Sequence, residues 1–321
     1  LKKITGHLHL EGSVPTDFLA RIALKNDLQQ HANLFQAYRP RRFGSFAEFS
    51  KLIILTAETL RTRKDFLHAA QLLGERLRHE NVIYAEIIWV PQLYFRHAIP
   101  LDDILSAMNT ARRHVLAEHG IEMNWIIDLV RGYPDKGSRV LKWLETIDLA
   151  SSHIVGIGLG GNETYSMEGM RDLLLAGRAL GLDLYPHSGE QCGPDEVEAV
   201  IEMLSPRRIA HGIRAAERDA TLHLIQSEGI HLDICPTSNL ALGVFDSFRD
   251  LPIRTLTEAG CSFSINTDDP ALLGIDLDFE IRRCMDVHGL TADFLHRMYQ
   301  GAADATFLPS ERRADLRKRL A

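Results

Sequence analysis

Residues 182–211 read LDLYPHSGEQCGPDEVEAVIEMLSPRRIAH. Three signals follow one another in this stretch. Leu182–His187 is a short apolar run, and Pro194 opens a segment in which Val197, Val200, Ile201 and Leu204 recur at the spacing of one helix face. Arg208–His211 is a second short run. Strand, helix and strand in succession make a βα unit of a parallel sheet. The same alternation extends outward in both directions, with further apolar runs at Ile4–Leu10, Val82–Val90, Met123–Val130, Ile154–Leu159, Ile230–Cys235 and Ser262–Asn266. Eight such runs predict an α/β fold, a (β/α)8 TIM barrel. About 70 residues separate the first two runs, far beyond an ordinary βα connection. Thr16–Asn26 and Phe46–Arg61 inside that gap look helical, so a helical insertion at about 16–80 is expected over the C-terminal face of the barrel.

A chain of 321 residues is long enough for two ordinary domains. A barrel of this kind fills that length as one, and no linker or repeat divides it, so residues 1–321 are expected to form a single domain. Lys and Arg number 36 against 43 Asp and Glu, a formal charge of −7, and no basic stripe is present. That disfavours a nucleic-acid partner. No apolar run approaches the roughly 20 residues of a membrane span, and Leu1–Thr5 is too short and polar for a secretory signal, so a cytoplasmic location without membrane contact is expected. Cys192, Cys235, Cys261 and Cys284 form no C-x-x-C pair, against a disulfide framework or a thiolate zinc site. No feature of the sequence indicates an oligomeric state.

The strand ends carry the chemistry. His7 and His9 flank Leu8, and a period of two points both imidazoles to the same side. His187 ends the fifth run with Glu190 three residues on, His211 ends the sixth, and Asp268 lies on the polar parity of the eighth. Each alone has an ordinary explanation as a barrel-mouth, loop or turn residue. Together they fall on four strands, at the end where a barrel places its active site. His7, His9, His187 and Asp268 offer three nitrogens and a carboxylate, a set suited to one zinc ion per chain with a water completing the shell. Glu190 and His211 remain as titratable groups near that water, available for proton transfer.

The motifs His7-Leu8-His9-Leu10-Glu11-Gly12-Ser13, Gly160-Gly161-Asn162-Glu163, His187-Ser188-Gly189-Glu190, Ile209-Ala210-His211-Gly212, Cys235-Pro236-Thr237-Ser238-Asn239 and Asn266-Thr267-Asp268-Asp269-Pro270 resemble, in order, those of the adenosine and adenine deaminases of the amidohydrolase superfamily. The resemblance spans nearly the whole chain, from Lys3 to about Phe307. It implies a zinc-dependent barrel that converts the 6-amino group of a purine to a 6-oxo group with release of ammonia. By position, His7, His9, His187 and Asp268 would hold the metal, and Glu190 would hand a proton to ring nitrogen N1. His211 and Asp268 would serve the attacking water, Asp269 would meet N7, and the backbone of Gly161 would meet N3. Glu11 matches a position that contacts the ribose 5′-hydroxyl in nucleoside-specific members. A proton donor to N1 must be a neutral acid, which requires a site that raises the pKa of Glu190.

Departures from the pattern bear on the substrate. Ser188 stands where Ala is usual, and Gly6 replaces a bulky residue before the first histidine. Gly158-Leu159-Gly160-Gly161-Asn162-Glu163 is closer to deaminases of aminodeoxyfutalosine than to typical adenosine deaminases. The expected substrate is therefore an adenosine-type nucleoside, adenosine or a 5′-modified adenosine, with adenine or an N6-substituted adenine as the alternative. Substrate choice is expected to lie in the insertion and in Pro91–Ile99. A binuclear amidohydrolase would carry a bridging lysine at the end of the fourth strand, which here reads Leu159-Gly160-Gly161. The zinc deaminases that act on nucleic acid carry a P-C-x-x-C segment that is missing. A non-catalytic purine-binding barrel would leave the complete set of polar groups without work.

Overall fold

A computed structural model of the chain describes residues 1–320. Eight parallel strands follow one another in sheet order β1-β2-β3-β4-β5-β6-β7-β8. They are β1 Lys3–Thr5, β2 Val82–Trp89, β3 Glu122–Val130, β4 Ile154–Gly160, β5 Asp183–Ser188, β6 Arg208–His211, β7 His231–Ile234 and β8 Ser262–Ile265. The barrel closes beyond β1 and β8, where His9 N–H donates to the Asp268 carbonyl at 2.9 Å and Leu8 pairs with Asp268. The first strand is shorter than its apolar run. After Thr5, the backbone N–H groups of Gly6 and His7 turn to the side-chain oxygen of Asn266, at 3.0 and 3.3 Å.

Side chains alternate along each strand, and the two faces differ in kind. Ala85, Ile87, Trp125, Ile127, Leu159, Leu184, Leu232 and Phe263 join the large core between strands and helices. The other parity supplies the barrel interior. There Ile88, Ile126, Tyr185 and Ala210 form a small second core with Phe307, and Glu86, Arg208 and Asp233 are also buried.

Five helices lie between β1 and β2: α1 Leu10–Ser13, α2 Thr16–Lys25, α3 Gln29–Ala37, α4 Phe46–Thr59 and α5 Arg63–His79. α5 packs on β2 and on α6, Leu101–His119, as a ring helix does. The helices added to the barrel pattern therefore end with α4, short of the expected limit near residue 80. α4 starts at Ser45, whose hydroxyl accepts from Glu48 N–H, and contributes Phe46, Phe49, Ile53 and Ile54 to the cavity over the strand ends. Among the described residues, no helix is long and apolar enough to cross a membrane.

Candidate active site

The carboxyl ends of β1, β5, β6 and β8 bring six titratable side chains around one point. His7 Nε2 lies 3.0 Å from Asp268 Oδ1, His9 Nε2 lies 3.3 Å from the same oxygen, and His9 Nε2 lies 3.3 Å from His187 Nε2. A tetrahedron of donors each about 2.0–2.1 Å from a zinc ion has edges of about 3.3–3.4 Å. The spacing of this donor set fits such an ion. Burial drives His9 down to about 3 and His187 well below the usual histidine range, so both rings are neutral at pH 7 and present lone pairs. Burial opposes the charge of Asp268, but His7, His211 and His9 together outweigh it and hold the carboxyl well below its ordinary value.

The surroundings fix these groups. Ser238 donates to Asp268 Oδ2 at 2.6 Å, and the amide of Asn239 stands 3.4 Å from His211 Nδ1. Asp268 and His211 both adopt left-handed backbone conformations, φ 62° and 61°. Such strain in residues other than glycine gathers at functional sites. His187 Nδ1 faces Asp128 Oδ2 at 3.6 Å. A Cβ on Gly158 or Gly160 would come within 2.0 or 2.5 Å of an Asp128 oxygen, which explains why β4 is glycine-rich. Asp128 was legible only as a carboxylate near the end of β3.

Glu190 is buried on the loop after β5, and Glu163 holds that loop by accepting from the backbone N–H groups of Glu190, Gln191 and Cys192 at 3.0, 3.0 and 2.7 Å. Burial raises the Glu190 carboxyl to about 7. His211 Nε2 lies 3.7 Å from Glu190 Oε1 and 3.9 Å from Asp268 Oδ2. Burial and the charge of Asp268 push Asp269 well above the carboxylate range, leaving an acid that can donate a hydrogen bond. Asp269 and Gly161 both line the cavity.

Glu11 does not line it. Its Oε1 accepts from Tyr94 O–H at 2.9 Å and Val90 N–H at 3.3 Å, while its Oε2 is buried without a hydrogen-bond partner. Burial raises this carboxyl to about 7. Trp89 likewise lies against Tyr94 and Trp143 rather than in the cavity.

The cavity measures about 150 Å3. Its floor is the polar cluster, and its cover is Phe46, Phe49, Ile53 and Ile54 of α4 with Leu93 and Leu242. No Lys or Arg lines it among the described residues.

A family model described as adenosine deaminase matches residues 2–321. The chain belongs to the adenosine deaminase family. This family member is 29% identical over 326 residues to an adenine deaminase of Rhodospirillum rubrum, covering 100% of this chain and 96% of that protein. It is 31% identical over 325 residues to an adenine deaminase of Rhizobium leguminosarum bv. trifolii, covering 100% and 99%. Among solved structures, an adenine deaminase from Arthrobacter aurescens superposes with a TM-score of 0.90 at 23% identity, covering 99% of this chain and 97% of that one. Like the family to which it belongs, the chain is a hydrolytic deaminase.

Proposed function

We propose that the protein hydrolyses the 6-amino group of free adenine, giving hypoxanthine and ammonia. The lining of the cavity carries this reading. Its polar groups are confined to the floor, where the reacting edge of a purine would lie, and its cover is apolar. A ribose would bring three hydroxyls against a cover whose one hydroxyl is Ser50. A phosphate would bring negative charge into a cavity lined by no Lys or Arg. A cavity of about 150 Å3 is the size that holds a small aromatic molecule. That both relatives named above are adenine deaminases supports the free base over the nucleoside expected from sequence.

In this reading His7, His9, His187 and Asp268 hold one zinc ion. A bound zinc ion supplies Lewis acidity, which lowers the pKa of water from about 15.7 to about 7. His211, beside Asp268, takes a proton from the attacking water as a carbon–oxygen bond forms at C6. Glu190, buried and neutral near pH 7, gives its proton to N1. Asp269 donates to N7, and the backbone N–H of Gly161 meets N3. The C6–N bond then breaks, the proton taken from water leaves with the amine as ammonia, and the remaining hydroxyl proton passes to Glu190 as the 6-oxo group forms. Residues 1–321 act as one unit, since β1, β5 and β8 supply the ligands and α4 supplies the cover.

The test is turnover of zinc-loaded protein on adenine, adenosine, aminodeoxyfutalosine and N6-methyl-AMP, followed by ultraviolet absorbance. The expected kcat/KM for adenine exceeds each of the others by about 100-fold, the discrimination a shaped pocket supplies. A nucleoside or nucleotide turned over faster than adenine overturns the reading.

A further inference from the structure

Beneath the cluster, inside the barrel, lies a buried polar chain that ends on His7. Arg208 pairs with Glu86 at 2.6 Å and with Asp233 at 2.8 Å, and its guanidinium lies over the rings of Tyr185 and Phe307 at 4.5 and 4.4 Å. Asp233 also receives Tyr185 O–H at 2.8 Å, Ser264 O–H at 2.6 Å and the Asn266 amide at 3.4 Å. On the far side of Tyr185, its oxygen stands 2.8 Å from His7 Nδ1.

The donor count leaves one arrangement. Asp233 is ringed by donors, and although burial opposes its charge, Arg208 holds it ionised, so it accepts only. Tyr185 has a single proton, which therefore goes to Asp233. Its oxygen must then accept, and the partner within reach is the Nδ1–H of His7. That bond leaves Nε2, which stands 3.0 Å from Asp268 Oδ1, as the ring nitrogen turned to the donor set.

We propose that Tyr185 is a positioning residue that fixes the tautomer and ring orientation of His7 for metal ligation, and that Gly6 makes this possible. A Cβ at position 6 would lie 3.1 Å from both oxygens of Asp233 and 3.2 Å from the Arg208 guanidinium carbon, so a larger residue would displace the pair that anchors Tyr185. Arg208 further donates to the Gly6 carbonyl at 3.0 Å. Gly6 thus marks the space taken by the ion pair. A partner on the far nitrogen of a ligating histidine orients the ring and strengthens it as a ligand, and Tyr185 is that partner for His7.

The proposal rests on the metal reading above, and the test separates the two. Wild-type protein, Y185F and G6A are stripped of metal, checked by circular dichroism, and titrated with zinc against a chelating dye; cobalt-substituted samples are compared by visible absorption. Y185F is expected to bind zinc about 10- to 100-fold more weakly and to shift the cobalt bands. G6A is expected to do the same in smaller measure with the tyrosine intact. Wild-type protein that binds zinc alongside folded Y185F of equal affinity and identical cobalt bands overturns this proposal alone. Should Y185F fail to fold, G6A with unchanged zinc affinity and cobalt bands overturns it. Wild-type protein that takes up no zinc overturns the metal reading and the proposal with it.

Discussion

Asp268 shows how much one side chain is asked to do: one oxygen lies beside two histidines while the other accepts from Ser238 and lies near His211. Glu190 contrasts with it at short range. The same burial that raises Glu190 to about 7 is overcome at Asp268 by its imidazole neighbours, so one acid is available as a proton donor while the other stays a carboxylate. Glu190→Gln keeps the size of the group and removes its acidic proton. We expect kcat on adenine to fall about 10²- to 10⁴-fold with zinc content and KM little changed. Steady-state kinetics with metal analysis checks this, and an unaltered kcat removes Glu190 from the proton path.

Helix α5 shows how local chemistry sets a boundary. Thr62 accepts from Asp65 N–H at its start, and Asp65 returns the bond to Thr62 N–H at 2.9 Å while also pairing with Lys25 of α2. Thr62→Ala is expected to cost about 1 kcal/mol of stability, the usual worth of such a cap, and to leave kcat unchanged. Burial opposes the charge of Asp65, but Thr62, Lys25 and the Arg61 N–H together hold its pKa below the ordinary 3.8. A carboxyl depressed in the folded state contributes stability that is present above its unfolded pKa and lost as pH falls through the folded value. Urea denaturation from pH 7 to pH 2 should therefore show the gap between Thr62→Ala and wild type narrowing below about pH 4. A gap of constant size would mean that the carboxylate plays no part in the cap. α4 is less self-sufficient: its apolar face covers the cavity, and its place depends on neighbours such as Ala241, whose carbonyl accepts from Phe43 N–H at 2.7 Å just before the helix.

Across the molecule, the donor set draws on both ends of the barrel sheet, so an ion held there ties β1 to β5 and β8. Zinc at about 100 times its Kd adds about 2.7 kcal/mol to stability, which for a chain of this size raises Tm by about 4 °C. Differential scanning calorimetry of chelated and reloaded protein measures it, and an unchanged Tm counts against a resident ion. The barrel and the polar strand ends are readable from the sequence because both are periodic: apolar runs recur with helices between them, alternation by two points His7 and His9 to the same side and puts Asp268 on the polar parity, and His187 ends its run. The partners of Glu11 Oε1 could not be read this way, since Tyr94 and Val90 lie some 80 residues on. Nor could Asp128, Ser238, Tyr185, Asp233 and Arg208, each of which matters through a partner on another strand or loop. A strand's pattern declares which side of the sheet a residue faces; which buried donor meets which acceptor depends on closure of the barrel, and so do the contact of Tyr185 with His7 and the apolar cover of the cavity.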